Sequence, residues 1–240
     1  MTNSTALGCV AQLWRYPVKS LLGEELGELE LDARGACGDR VWAVLDPAGK
    51  LGSGKDTGRF RRMDGLFELA ARSEDGVPVV RFPDGRELRG DDSRVHELLS
   101  GHLGISVTLG EEGRVSHLDR GPLHILSSAS LRWIQAALGD GAADVRRFRP
   151  NVVLEVEGEG TIEQEWLGRE LLLGDEVRLL LHQPTERCRM TGLAQAGLPA
   201  DGRVLKHLSR FSAARFGVYG EVLVPGRVRR GDPARLRGPG

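Results

Sequence analysis

Short β-rich runs, each cut off by a glycine or proline turn, dominate this chain and restrict it to sheet architectures. "VPVVRFPDGRELRG" (77–90) reads as two strands folded on a Pro-Asp-Gly turn, and "RELLLGDEVRLLLH" (169–182) as two more around Gly-Asp. "VAQLWRY" (10–16), "LGELELD" (26–32), "RVWAVLD" (40–46), "ISVTL" (105–109), "PNVVLEVEG" (150–158) and "VYGEVLVPGRVRRGD" (218–232) continue the pattern. The 33 glycines and 11 prolines in 240 residues supply the turns this needs.

Three segments carry helical spacing instead. In "DSRVHELLSGHLG" (92–104), Val95, Leu98, Leu99 and Leu103 share a face, with Asp92 or Ser93 as cap. "SSASLRWIQAALGD" (127–140) starts on serine caps, presents Leu131, Ile134 and Leu138, and stops at Gly139. "DGRVLKHLSRF" (201–211) is weaker. The expected fold is mostly β with a few helices (α+β), built as a β-barrel architecture. The pattern breaks in "GEEGRVSHLDRG" (110–121), which predicts two units, 1–112 and 113–240, free to interleave around one site.

Composition narrows the class. A net charge of −1 gives no bulk attraction for nucleic acid, so no nucleic-acid partner is expected. Three cysteines, Cys9, Cys37 and Cys188, form neither a CxxC nor a disulfide framework, and no Cys₄ run for an iron–sulfur cluster is present. No stretch reaches the roughly 18–20 apolar residues of a membrane span. The first residues lack a basic region followed by an apolar core, so the expectation is a cytoplasmic protein without membrane attachment.

Cys188, in "QPTERCRMTG" (183–192), is the sharpest chemical signal. Free cysteines usually pack as small hydrophobes. This one sits between Arg187 and Arg189, which favour the thiolate, the form that attacks electrophiles and binds metals. Cys9 reads as a packed strand residue and Cys37 as a turn residue. His182 is near enough in sequence for a Cys–His pair, although a strand-end histidine is more often structural. "GKLGSGKD" (49–56) has P-loop spacing but places Asp56 where a hydroxyl must hold Mg²⁺, leaving Lys55 as an anion-binding candidate. Lys19 and Ser20 follow a strand that Pro17 ends. Arg146, Arg147 and Arg149 form either a solvated basic turn or a guanidinium fork for phosphate or carboxylate.

"AQLWRYPVKSLLG", "GDRVWAVLD", "PLHILSSASL", "RFRPNVVLE", "ERCRMTG" and "FGVYGEVLVPGRVRRGDPARL" occur in the order that resembles the MOSC-domain family, the molybdenum cofactor sulfurase C-terminal family, preceded by its N-terminal β-barrel domain. The pattern is similar to the mitochondrial amidoxime-reducing component and bacterial hydroxylaminopurine reductases. The resemblance implies a MOSC-type β-barrel that binds the molybdenum cofactor, a molybdopterin. Cys188 would be the catalytic residue and metal ligand. Lys19, Ser20, Arg40, Lys55, Asp119, Arg149, Asn151, Arg187 and Tyr219 would line the cofactor site. Arg120 and Gly121 stand where close relatives place small hydroxyl residues, a departure inside that pattern.

The implied activity is reduction of small N-hydroxylated substrates, with electrons from a separate donor, a flavoprotein reductase or a cytochrome b5-like protein. The residues agree with such a cofactor: a phosphorylated pterin dithiolene needs cations, hydrogen-bonding groups and one soft ligand. Two other readings stay open. Cys188 could carry a persulfide in sulfur transfer, or the chain could bind the cofactor without catalysis.

Overall fold

The computed structural model describes residues 4–139 and 141–238. Asp140, which follows the expected helix stop at Gly139, and the ends of the expected units at 1–3 and 239–240 lie outside the described residues. In chain order the strands are β1 (Ser4–Arg15), β2 (Glu24–Leu26), β3 (Glu28–Asp32), β4 (Gly35–Ala36), β5 (Trp42–Leu45), β6 (Leu51–Ser53), β7 (Phe60–Arg62), β8 (Ala70–Glu74) and β9 (Val77–Arg81). They continue with β10 (Glu87–Arg89), β11 (Thr108–Glu111), β12 (Leu123–Ser127), β13 (Val152–Val156), β14 (Glu170–Leu173), β15 (Val177–Glu186), β16 (Arg215–Val224), β17 (Gly226–Arg229) and β18 (Pro233–Arg237). The α-helices are α1 (Arg94–Leu103), α2 (Ser128–Leu138) and α3 (Arg203–Phe211).

Seven strands close into a barrel in the order β13-β12-β16-β15-β14-β18-β1, sealed by the pairing of β1 with β13. Its one parallel pair is β12 with β13, because the crossover through α2 returns the chain in the same direction. Gly8 lies where β1 passes from β18 to β13, and a Cβ there would meet the Glu155 carbonyl at 1.9 Å. Only glycine permits that crossing. The barrel interior is aliphatic and includes Leu13, Ile125, Leu154, Leu179, Val218 and Leu236.

The first half builds a second core of Val18, Leu66, Leu69, Val80 and Leu99 between the sheets β11-β5-β6-β7 and β10-β9-β8 and the helix α1. A three-stranded sheet, β17-β3-β4, stitches the two halves together. A third apolar cluster joins α2 and α3 through Ile134, Val204, Leu208, Phe148 and Phe216, whose two phenyl rings lie 4.4 Å apart. The halves therefore interleave: β1 belongs to the barrel made by the later strands, and β17 pairs back onto β3.

Local details differ from the sequence reading for identifiable reasons. The strand expected at 105–109 begins only at Thr108. Gly104 ends α1 in the left-handed region at φ 67°, and Ser100 Oγ accepts from the Val107 amide at 3.0 Å, so 105–107 serve as the helix exit. The strand expected at 10–16 begins six residues earlier, at Ser4, because its first half pairs with β18. At α1, Asp92 rather than Ser93 supplies the cap, accepting from the Arg94 amide at 3.0 Å. Ser127 caps α2 as expected, accepting from the Ser130 amide at 3.0 Å. Among the described residues no helix is long and apolar enough to cross a membrane.

Candidate functional site

A cavity of about 380 Å³ opens where the first-half sheets meet the barrel. Eight basic side chains line it against two carboxylates, Asp119 and Glu186. Such an excess of buried cation is costly without an anion, and the fold distributes the cost over named contacts. Lys19, 4% exposed, donates to Asp119 Oδ1 and to the His117 carbonyl, both at 2.8 Å. Arg40 pairs with Asp39, whose other oxygen accepts from the Tyr16 amide at 2.8 Å. Arg149 Nη1 donates to the Leu21 carbonyl at 2.6 Å and Arg187 Nη2 to the Phe148 carbonyl at 2.8 Å.

Aromatic faces carry part of the remaining charge. The guanidinium carbons of Arg149 and Arg40 lie 4.2 and 4.9 Å from the Tyr16 ring centroid. The Phe60 ring is approached by Lys55, Arg59 and Lys19 at 5.0, 5.1 and 5.3 Å. Each contact adds the attraction of a ring quadrupole to the stabilisation of the cation.

The backbone is unusual at the same place. Ser20, Arg40 and Arg149 hold φ of 67°, 52° and 54°, and they are half of the six non-glycine residues in the left-handed region among those described. Positive φ costs a non-glycine residue of order 1–3 kcal/mol and persists only where the surroundings over-determine it. Here Arg40 N bonds the Tyr16 carbonyl at 2.7 Å and Ser20 Oγ bonds the Gly52 carbonyl at 2.9 Å.

Electrostatics follow from this packing. Burial, reinforced by Arg40, lowers Arg149 to about 10. Burial likewise lowers Lys19, with Asp119 opposing. Asp119 goes the other way: burial works against its charge, but Lys19 holds the carboxyl down at about 2. Burial and then Arg187 push His124 well below its ordinary value, so that imidazole is neutral.

Cys188 follows the end of β15 by two residues, is partly exposed, and lines the cavity beside Arg187. A 3-10 turn, Arg189–Gly192, follows it. Among the described residues no three His, Cys, Asp or Glu side chains group as a metal site, so Cys188 offers a single sulfur donor.

A family model for the MOSC domain matches residues 112–235, and one for the MOSC N-terminal β-barrel domain matches 7–95. The chain belongs to the MOSC family. It is 26% identical to human mitochondrial amidoxime-reducing component 1 over 287 residues, spanning 97% of this chain and 84% of that protein. It is also 26% identical to human mitochondrial amidoxime reducing component 2, over 95% of this chain and 83% of the relative. The crystal structure of the YUAD protein from Bacillus subtilis shares the fold, with a TM-score of 0.54 at 14% identity over 99% of both chains.

All ten residues expected at the site of a MOSC protein line this one cavity: Lys19, Ser20, Arg40, Lys55, Asp119, Arg149, Asn151, Arg187, Cys188 and Tyr219. Asn151 has a second task. Its Oδ1 accepts from the His124 amide at 3.1 Å and its Nδ2 donates to the Trp14 carbonyl at 3.3 Å, so much of the amide is spent joining β1 to β12. The pairing of His182 with Cys188 does not form. Strand alternation along β15 buries Val177, Leu179 and Leu181 and turns His182 outward. Arg189 is also exposed and does not line the cavity.

Sequence reasoning missed several contributors. Arg59, Phe60, His124 and Met190 line the cavity. A solvated turn at 146–149 is excluded for Arg147 and Arg149, which are 2% and 9% exposed. Gly121 is required by its neighbour: a Cβ there would lie 2.6 Å from Tyr219 Cβ and Cγ.

Proposed function

We propose that this chain is a molybdenum-cofactor-dependent reductase of small N-hydroxylated compounds. The observation that carries the reading is that one cavity joins the Cys188 sulfur to a cationic lining. The residues fit an anionic, hydrogen-bonding group. Arg149 Nη2 and Arg187 Nε are buried without a partner, donors that a phosphate or pterin oxygen would satisfy.

Lys19, Arg40, Arg149 and Arg187 would neutralise the cofactor's phosphate and pterin oxygens. Ser20 and Tyr219 would add neutral hydrogen bonds. Cys188 would supply the soft sulfur ligand. When bound, the cofactor supplies two-electron oxygen-atom chemistry suited to removing a hydroxyl oxygen from nitrogen. Asp119, ionised against Lys19, offers an acceptor at the cavity wall. Electrons would arrive from a separate donor protein, as we infer from the likeness to amidoxime-reducing components.

The test is elemental analysis of protein purified from a host that makes the cofactor, with Cys188→Ala beside the wild type. Near-stoichiometric molybdenum in the wild type, lost in the variant, together with turnover of an N-hydroxylated substrate, is the expected result. No molybdenum in either protein would overturn the reading. A dithiothreitol-sensitive mass gain of about 32 Da on Cys188, one sulfur atom, would then favour sulfur transfer.

A further inference from the structure

Arg147 is a cavity-lining cation whose guanidinium is spent entirely on carbonyl oxygens. Nε donates to Gly141 at 2.7 Å and Nη2 to Pro199 at 2.8 Å. Nη1 donates to Thr191 and Leu193 at 3.5 and 3.4 Å. No carboxylate bonds it directly, and burial lowers it from its ordinary value. A buried arginine whose bonds all go to carbonyls from separate segments, with Asp201 and Asp144 acting on its charge only from a distance, fixes those segments relative to one another, because its planar fork allows few geometries.

The gathered segment is the one that follows Cys188. Thr191, whose carbonyl Arg147 holds, returns two bonds to the Cys188 carbonyl, from its amide at 3.2 Å and from Oγ1 at 3.1 Å. The flanking residues act on both sides of Cys188. Arg146 reaches the Ala196 carbonyl at 3.3 Å, and the Phe148 carbonyl accepts from Arg187. Arg187 is tied separately through its amide to Ala214 at 2.7 Å. Cys188 therefore lies between two anchored neighbours, Arg187 before it and the turn Arg189–Gly192 after it, the second held through Arg147.

We propose that Arg147 is a positioning residue: through Thr191 it sets the orientation of Cys188 toward Arg187. The assignment stands whatever occupies the cavity, since it concerns the thiol and its own loop.

The test uses the full chain made in a host without the cofactor. Cys188 is alkylated by iodoacetate and, in parallel, by iodoacetamide, and peptide mass spectrometry reads that residue apart from Cys9 and Cys37. The two reagents differ in charge, so their rate ratio reports the cationic field at the sulfur, whereas general loosening raises both rates alike. Arg147→Lys keeps the charge and loses the fork. Thr191→Val keeps Arg147 and loses the hydroxyl bond to Cys188. The expected result is a fall of about threefold in the iodoacetate to iodoacetamide ratio in Arg147→Lys, the scale of a partly screened charge contact, and a smaller fall in Thr191→Val. Should Arg147→Lys fail to fold, Thr191→Val carries the test. An unchanged ratio in either variant that folds overturns the assignment.

Discussion

Arg40 donates to the carbonyl of Arg149 at 3.3 Å, although the two side chains carry like charge and both backbones are held near φ 50°. The pair is therefore maintained against its own electrostatics, with the Tyr16 ring beneath both guanidiniums. Strain of this kind is expected where a site is built for a charged ligand.

Replacing Arg149 should expose that strain. Arg149→Met loses the bond to Leu21, worth about 1 kcal/mol, but removes a buried cation. The anion-free variant should match or exceed wild-type stability, by up to about 2 kcal/mol. Stabilisation of the wild type by inorganic pyrophosphate should vanish in it. Urea unfolding with and without pyrophosphate measures both, and a large loss of stability in the anion-free variant would contradict the strained-site account.

Gly121→Ala should disturb the site more than the fold. The new methyl meets Tyr219 Cβ, an atom that cannot swing away without moving the strand β16 or the turn before β12. Overpacking of this sort costs about 1–3 kcal/mol. Pyrophosphate affinity should drop about tenfold, equivalent to 1.4 kcal/mol. Calorimetric titration checks it, and wild-type affinity would show that Tyr219 is dispensable for anion binding.

Acid should loosen the segment that carries Asp119. Burial works against the charge of Glu112, but Arg34 (3.0 and 2.7 Å) and the His117 amide (2.6 Å) win and hold the carboxyl at about 2. A depressed carboxyl adds stability in full above its unfolded value of 4.5 and loses it as pH falls toward 2. Glu112→Gln should be less stable than wild type at neutral pH, and the gap should close across that window. Melting temperatures of the two proteins decide it, since a gap constant with pH would remove Glu112 as the cause.

Glu163→Ala should be severely destabilising. Its buried carboxyl accepts from Ser127 Oγ at 2.5 Å, from Ser130 Oγ at 2.7 Å and from the Gly217 amide at 2.9 Å. Truncation strands these donors at a cost of about 3 kcal/mol or more. Glu163→Gln should recover part of that loss, and equal unfolding midpoints for the two variants would refute the donor-stranding account.

Some of this was legible in the chain itself. Turn residues and alternation marked the hairpin of β9 and β10 and that of β14 and β15, and serines marked the start of α2, because those signals are local. The cationic motifs were legible as types but not as contacts. Arg147 looks like any arginine in a basic turn until partners 44 to 52 residues later fold over it. His124 was hidden in an apolar run, and its role depends on Gly217, where a Cβ would lie 2.1 Å from Nε2. The closing of the barrel by β1 was equally hidden, since its partners β13 and β18 lie in the second half of the chain.

That closure bears on how the protein is made. A ribosome releases β1 well before its barrel partners, which emerge only with Val152–Val156 and Pro233–Arg237. Through most of synthesis β1 has only the three-residue pairing with β2 to occupy its edges. Pairings so distant in sequence are slow to form and leave strand edges open to misassembly. Lys19 and Ser20 are held by first-half contacts to Trp42 and Gly52, but Arg149, Arg187, Cys188 and Tyr219, which complete the cavity lining, come with the later strands. The cavity is thus complete only once Tyr219 has been made, and an anion able to bind there would select chains that have passed that point over every shorter one.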